Sequence, residues 1–148
     1  MSIAERTASV VWDGSLARGG GGLASGSGAF LGLPVTWAAR TEAPAGKTSP
    51  EELIASAHAT CFAMALALVL GEAGTPPERL AADARCVLDE VDGAPRITRV
   101  VLSVHGRVKG VDDSSFQALV ARAAALCPVS NALRGNVDIS VDAKLDVA

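Results

Sequence analysis

Residues 48–74 read TSPEELIASAHATCFAMALALVLGEAG, and this one stretch organises the chain around it. Ser49 is placed to cap a helix, Pro50 takes the first helical position and Glu52 the third, which is the pattern of a capping box. Helical spacing then sets Ile54, Ala57, Cys61, Met64 and Leu68 on one face. Beyond residue 59 the other faces are almost as apolar, so the helix is expected to be central and enclosed. Gly71 and Gly74, followed by Pro76 and Pro77, end it.

On the N-terminal side, residues 7–13 (TASVVWD) are β-branched and aromatic enough for a strand. The glycine run 19–22 and the GSG of 26–28 read as a loop and a hairpin turn. They are not a phosphate cradle, because the G-x-G-x-x-G spacing requires glycine at 24 or 25, where Ala24 and Ser25 stand. Gly46-Lys47-Thr48 fails as a P-loop in the same way, since Thr41 occupies the position of its first glycine. Residues 33–41 are expected as a strand ending near Arg40, and 42–49 as a loop.

On the C-terminal side, residues 79–90 and 97–108 read as two strands joined by an Asp92-Gly93 turn. Asp112 and Asp113 open a helix with a stripe of Phe116, Leu119, Val120, Ala123 and Leu126. Cys127-Pro128 interrupts it. Pro128 then starts a short helix through Leu133 with Cys127 as its N-cap. A Gly135-Asn136 turn leads into a last strand over 137–147. This order predicts an α+β fold with antiparallel sheets in a single domain, 1–148.

The chain has 148 residues, 49% hydrophobic and 20% charged, enough for one core. Thirteen Lys and Arg against sixteen Asp and Glu give a net charge of −3 and no basic patch, which argues against a nucleic-acid partner. The apolar run 61–70 is about half a bilayer span, so no membrane partner is expected. The N-terminus carries no signal-peptide pattern, so the expected location is cytoplasmic.

Cys61, Cys86 and Cys127 are an odd number, without a C-x-x-C, and His58 is the nearest other ligand type to Cys61; neither a disulfide framework nor a metal site is expected. At a helix N-terminus, Cys127 gains thiolate character. Cys61 lies about three turns into its helix, where that help has decayed, and apolar burial raises a thiol. A reactive Cys61 therefore requires a cation, for which Arg18 in the glycine loop and Arg40 are the candidates. Glu51 is suited to holding the guanidinium in a planar pair. Cys86, between Ala84 and Leu88, reads as inert packing. His58 reads as a pocket-lining or hydrogen-bonded residue, because partners at i and i+3 on one helix lie side by side.

These residues have a familiar arrangement. Residues 48–54 (TSPEELI), 57–62 (AHATCF) and 127–131 (CPVSN) resemble the two cysteine motifs of the OsmC/Ohr peroxidase family, in its osmotically inducible protein C branch. The similarity also takes in Trp12-Asp13-Gly14, Arg18-Gly19 and residues 71–74, whereas 131–136 (NALRGN) lean toward the sister branch. The resemblance implies an intertwined homodimer of α+β subunits, each with two central helices flanked by sheets. It implies Cys61 as the peroxidatic cysteine, Cys127 as the resolving one, Glu51 as the orienting carboxylate, and Arg40 or Arg18 as the cation. It implies an organic hydroperoxide as substrate and an external thiol, a dihydrolipoyl protein or small dithiol, as reductant, with no cofactor. The apolar residues Phe62, Met64 and Ala65 suggest a pocket for alkyl peroxides. The alternative is a redox-sensing or small-molecule-binding module without turnover.

Overall fold

The Ser49 hydroxyl accepts the main-chain N–H of Glu52 at 3.2 Å, and from this cap α2 (Pro50–Glu72) runs for 23 residues. The structure is a computed structural model describing residues 1–146, and it divides into two units, 1–53 and 54–148. Helix α2 begins in the first and runs on into the second.

In the first unit, β1 (Ala8–Asp13), β2 (Gly20–Ser25) and β3 (Leu31–Val35) form an antiparallel sheet in that order. Two expectations fail here. The glycine run is a strand and not a loop: Gly21 pairs with Trp12 and Val35, and a Cβ on it would lie 3.0–3.2 Å from Val35, Trp12 and Val10 side chains. Glycine there makes room for its neighbours' larger side chains. Likewise the strand expected over 33–41 stops at Val35. Thr36 turns the chain by accepting the Ala39 N–H on its hydroxyl at 3.1 Å, and α1 (Trp37–Thr41) follows. Arg40 thus sits in the last turn of a helix.

In the second unit, β4 (Pro77–Val91) and β5 (Ala94–Val108) form a long antiparallel hairpin whose turn has Asp92 and Gly93 at φ +53° and +76°. Strand β6 (Asp138–Leu145) joins β5 in parallel, so this sheet is mixed and not wholly antiparallel. The connection carrying α3 (Asp113–Leu126) and α4 (Pro128–Leu133) supplies the crossover that a parallel pair requires. Val147, in the strand expected over 137–147, lies outside the described residues.

The core of this unit joins Phe62, Leu66, Val69 and Leu70 of α2 to Val100, Leu102 and Val104 of β5 and to Phe116, Val120 and Ala123 of α3. The buried face of α2 is therefore not the stripe that its spacing picks out. Met64 and Leu68 of that stripe are 69% and 56% exposed, so the helix is enclosed on one side only. Phe62 and Ala65 belong to the core. By length and composition α2 also reaches the span of a bilayer, although its buried side packs in this core.

Gly106 faces Phe116 so closely that a Cβ would lie 2.8 Å from the Phe116 ring, and that ring is fully buried. Gly106→Ala is expected to destabilise the fold by about 1–3 kcal/mol through overpacking. Urea denaturation showing an unchanged midpoint would contradict this packing.

Candidate active site

In the first unit, Arg40 and Glu51 form a bidentate pair. Arg40 donates through Nε to both carboxylate oxygens, at 3.1 and 3.2 Å, and through Nη2 to Oε1 at 2.8 Å. Glu51 is buried and Arg40 partly so. The guanidinium also lies 5.7 Å from the Trp37 ring centroid, within cation–π range. Two helix ends make this arrangement: α1 delivers Arg40 from its last turn, and the first turn of α2 presents Glu51. Arg18, the other candidate, is exposed in the turn between β1 and β2 and forms no ion pair with Glu51.

In the second unit, the Sγ atoms of Cys61 and Cys127, 66 residues apart in sequence, lie 3.3 Å apart in an S–H···S hydrogen bond. Cys127 is fully buried and Cys61 partly. Side-chain rotation has only about 1.3 Å to close for a disulfide of ordinary length. Cys127 occupies the junction of α3 and α4, as C-cap of one and N-cap of the other. Cys86 lies on β4 and packs against the core.

The two thiols are shifted in opposite directions. Burial pushes Cys61 up, the Val129 main chain draws it down, and the Cys127 sulfur beside it adds to the rise. Burial also pushes Cys127 up, but the Ser130 hydroxyl and main chain, the Cys61 thiol and the Val129 main chain together hold it below the ordinary thiol range. The amide contributions act without a formal cap hydrogen bond. Both directions agree with the expectations from helix position and burial, although Ser130 adds a contribution that position alone does not contain.

Ser130 and His58 belong beside the sulfurs. His58 is fully buried, and its Nε2 lies 2.7 Å from Ser130 Oγ. Burial holds the imidazole below its usual range, keeping it neutral. Two pairs of residues, each spaced by three, thus face one another across α2 and α4: Cys61 with Cys127, and His58 with Ser130. The sequence contains this symmetry, with histidine three before one cysteine and serine three after the other, but a serine within the 127–131 motif carries by itself no sign of a role. No cluster of three or more His, Cys, Asp or Glu side chains that could hold a metal ion occurs among the described residues.

Paired thiols in an α+β frame, with a buried arginine–glutamate pair, define a class of cysteine-based redox proteins. The comparisons narrow it further. The family model for OsmC-like protein matches residues 43–142. The chain is 40% identical over 133 residues to peroxiredoxin OsmC of Escherichia coli (strain K12), covering 90% of this chain and 92% of that protein. It is 36% identical over 96 residues to the organic hydroperoxide resistance protein OhrA of Bacillus subtilis (strain 168), covering 64% and 66%. The crystal structure of OhrB of Bacillus subtilis superposes with a TM-score of 0.74 at 32% identity, covering 93% of this chain and 98% of that one. The chain belongs to the OsmC family.

The opposed shifts give a measurable order of ionisation. Thiolate absorbance near about 240 nm is expected to show that Cys127→Ser removes the lowest step of the reduced protein. Cys61→Ser should keep that step but move it upward. If Cys127→Ser leaves the lowest step in place, the charge resides elsewhere.

Proposed function

We propose that this protein is a thiol-dependent peroxidase that reduces organic hydroperoxides to alcohols. The observation that carries the reading is the 3.3 Å separation of the Cys61 and Cys127 sulfurs. In the proposed cycle the Cys61 thiolate attacks one peroxide oxygen. The O–O bond breaks, the alkoxide takes a proton from solvent and leaves as alcohol, and Cys61 becomes a sulfenic acid. The Cys127 thiolate then attacks that sulfur. An S–S bond forms, the S–O bond breaks, and the departing hydroxide takes a proton to become water. An external dithiol returns both cysteines to the reduced state by exchange, itself becoming a disulfide.

Of the two thiols Cys127 is the one whose surroundings favour the thiolate, and Cys61 the one whose surroundings oppose it. The first step requires the charge on Cys61. We assign to Arg40 the role of drawing the charge there and steadying the peroxide, and to Glu51 that of fixing the guanidinium plane. The Arg40–Glu51 geometry supports this choice over Arg18. The names of the relatives support the hydroperoxide substrate. A dihydrolipoyl protein or small dithiol is the proposed reductant, and the cytoplasm the proposed location. The exposed apolar face of α2 at Met64 and Leu68, and the exposed Val10, Val11 and Trp12 of β1, support a homodimer in which a second copy covers them.

Intact mass spectrometry after one equivalent of cumene hydroperoxide is expected to show a loss of about two mass units mapping to Cys61 and Cys127. Cys61→Ser should abolish turnover, and full activity in that variant would end the reading. Cys127→Ser should stop after one oxidation. Arg40→Ala is expected to lower kcat/KM by about 10²-fold, with Arg18→Ala within a few-fold; the reverse order would move the role to Arg18. Light scattering should give twice the chain mass, and a monomer would refute the dimer.

A further inference from the structure

Beyond the cysteines and the arginine–glutamate pair, one buried polar group has no part in the cycle above. His58 is fully enclosed, its Nε2 is bonded to Ser130 Oγ, and its Nδ1 has no hydrogen-bond partner among the described residues. A buried imidazole is an expensive replacement for an aliphatic residue unless its hydrogen bonds are used.

The tautomer follows from that unpartnered nitrogen. A buried N–H without an acceptor is rarer than a bare lone pair, so the hydrogen belongs on Nε2 and the lone pair on Nδ1. Nε2–H then donates to Ser130 Oγ, which leaves the hydroxyl hydrogen free to point onward. Ser130 is three residues beyond Cys127, on the first turn of α4 and so on the same side of that helix end, and its hydroxyl is among the groups that lower the Cys127 thiol. Imidazole, hydroxyl and sulfur thus stand in sequence, and all three lie within the second unit. The titratable group acting directly on Cys127 is Cys61.

We propose that His58 is a positioning residue for Cys127: acting through Ser130, it orients a hydroxyl hydrogen onto that sulfur and keeps it ready to attack the oxidised Cys61. This rests on the peroxidase reading above. The chain adds no proton and removes none. Cys127 thiolate and Cys61 sulfenic acid give the disulfide and hydroxide as before, and the hydroxide takes its proton from solvent. What His58 controls is the direction of the Ser130 hydroxyl. If Nε2 were replaced by a group unable to donate, that hydroxyl would be free to turn away from the sulfur.

The test separates oxidation from closure. Reduced protein is mixed with one equivalent of cumene hydroperoxide at about pH 6 and quenched over time, and intact masses are read for sulfenic acid and disulfide. In Ser130→Ala and His58→Leu, sulfenic acid is expected to form within about twofold of the parent rate, while closure slows about tenfold or more and sulfenic acid accumulates. Ser130→Thr, which keeps the hydroxyl, and His58→Gln, which keeps a donor, should restore closure. Unchanged closure in Ser130→Ala and His58→Leu would overturn the proposal. So would oxidation and closure falling in equal proportion, or failure of Ser130→Thr and His58→Gln to restore closure in folded protein. A second readout does not depend on turnover: the lowest step in thiolate absorbance should move upward in Ser130→Ala and in His58→Leu. If the parent protein is not oxidised by peroxide but that step still moves, the peroxidase reading falls and the donor chain stands. If the step stays where it is, the donor chain falls whatever the peroxide does.

Discussion

Two sulfur atoms 3.3 Å apart in a largely buried setting constrain everything near them. Burial disfavours a charge on either, and neighbouring charge on one disfavours it on the other. The two thiols therefore ionise as a coupled pair, and the surrounding groups decide which of them gives up its proton more readily. Ser130 and the α4 amides draw the charge toward Cys127. Cys61 is the more exposed of the two residues. Two chemically identical side chains thus differ in acidity through their surroundings alone.

The polar groups are held by an apolar frame. Phe62, Leu66, Val69 and Leu70 fix α2 against β5 and α3, and this packing sets the rotation of the helix about its axis. That rotation turns His58 inward, to meet Ser130 across the interface with α4. The long hairpin of β4 and β5 provides a broad floor for this packing, and the parallel return of β6 leaves α3 and α4 as the crossover. In the first unit the close approach at Gly21 serves a similar end, letting Trp12, Val10 and Val35 crowd one point of the sheet.

Much of this was legible in the sequence where the cause is local. The Ser49 cap, Pro50, the Asp92-Gly93 turn, the Asp112 cap and the Cys127-Pro128 break each depend on a few adjacent residues, and each stands as read. What failed depends on distant partners. The inward face of α2 was misassigned because alanine, leucine, valine and methionine surround the helix and leave no contrast between faces. The glycine strand was missed because glycine has no side chain with which to show a period of two, and its strand character comes from β1 and β3. Residues 35–37 look extended in isolation, yet the Thr36 cap makes them the entrance to a helix. Of the site, the residue types and the Glu51 pairing were accessible from chemistry. Ser130 was not, because a lone serine signals nothing until a buried partner is seen opposite it.

The junction residue Cys127 has both of its main-chain groups engaged. Its N–H donates to Ala123 O at 2.9 Å and its carbonyl accepts from Asn131 N–H at 3.0 Å. The backbone is thus pinned on each side of the Cys127 sulfur. Such a joint permits swivelling about χ1 but resists displacement of the peptide, so joining and parting the sulfurs demands no melting of either flanking helix. Any change of bonding at that sulfur is thereby confined to its own side chain, and the scaffold on either side is left as it stands.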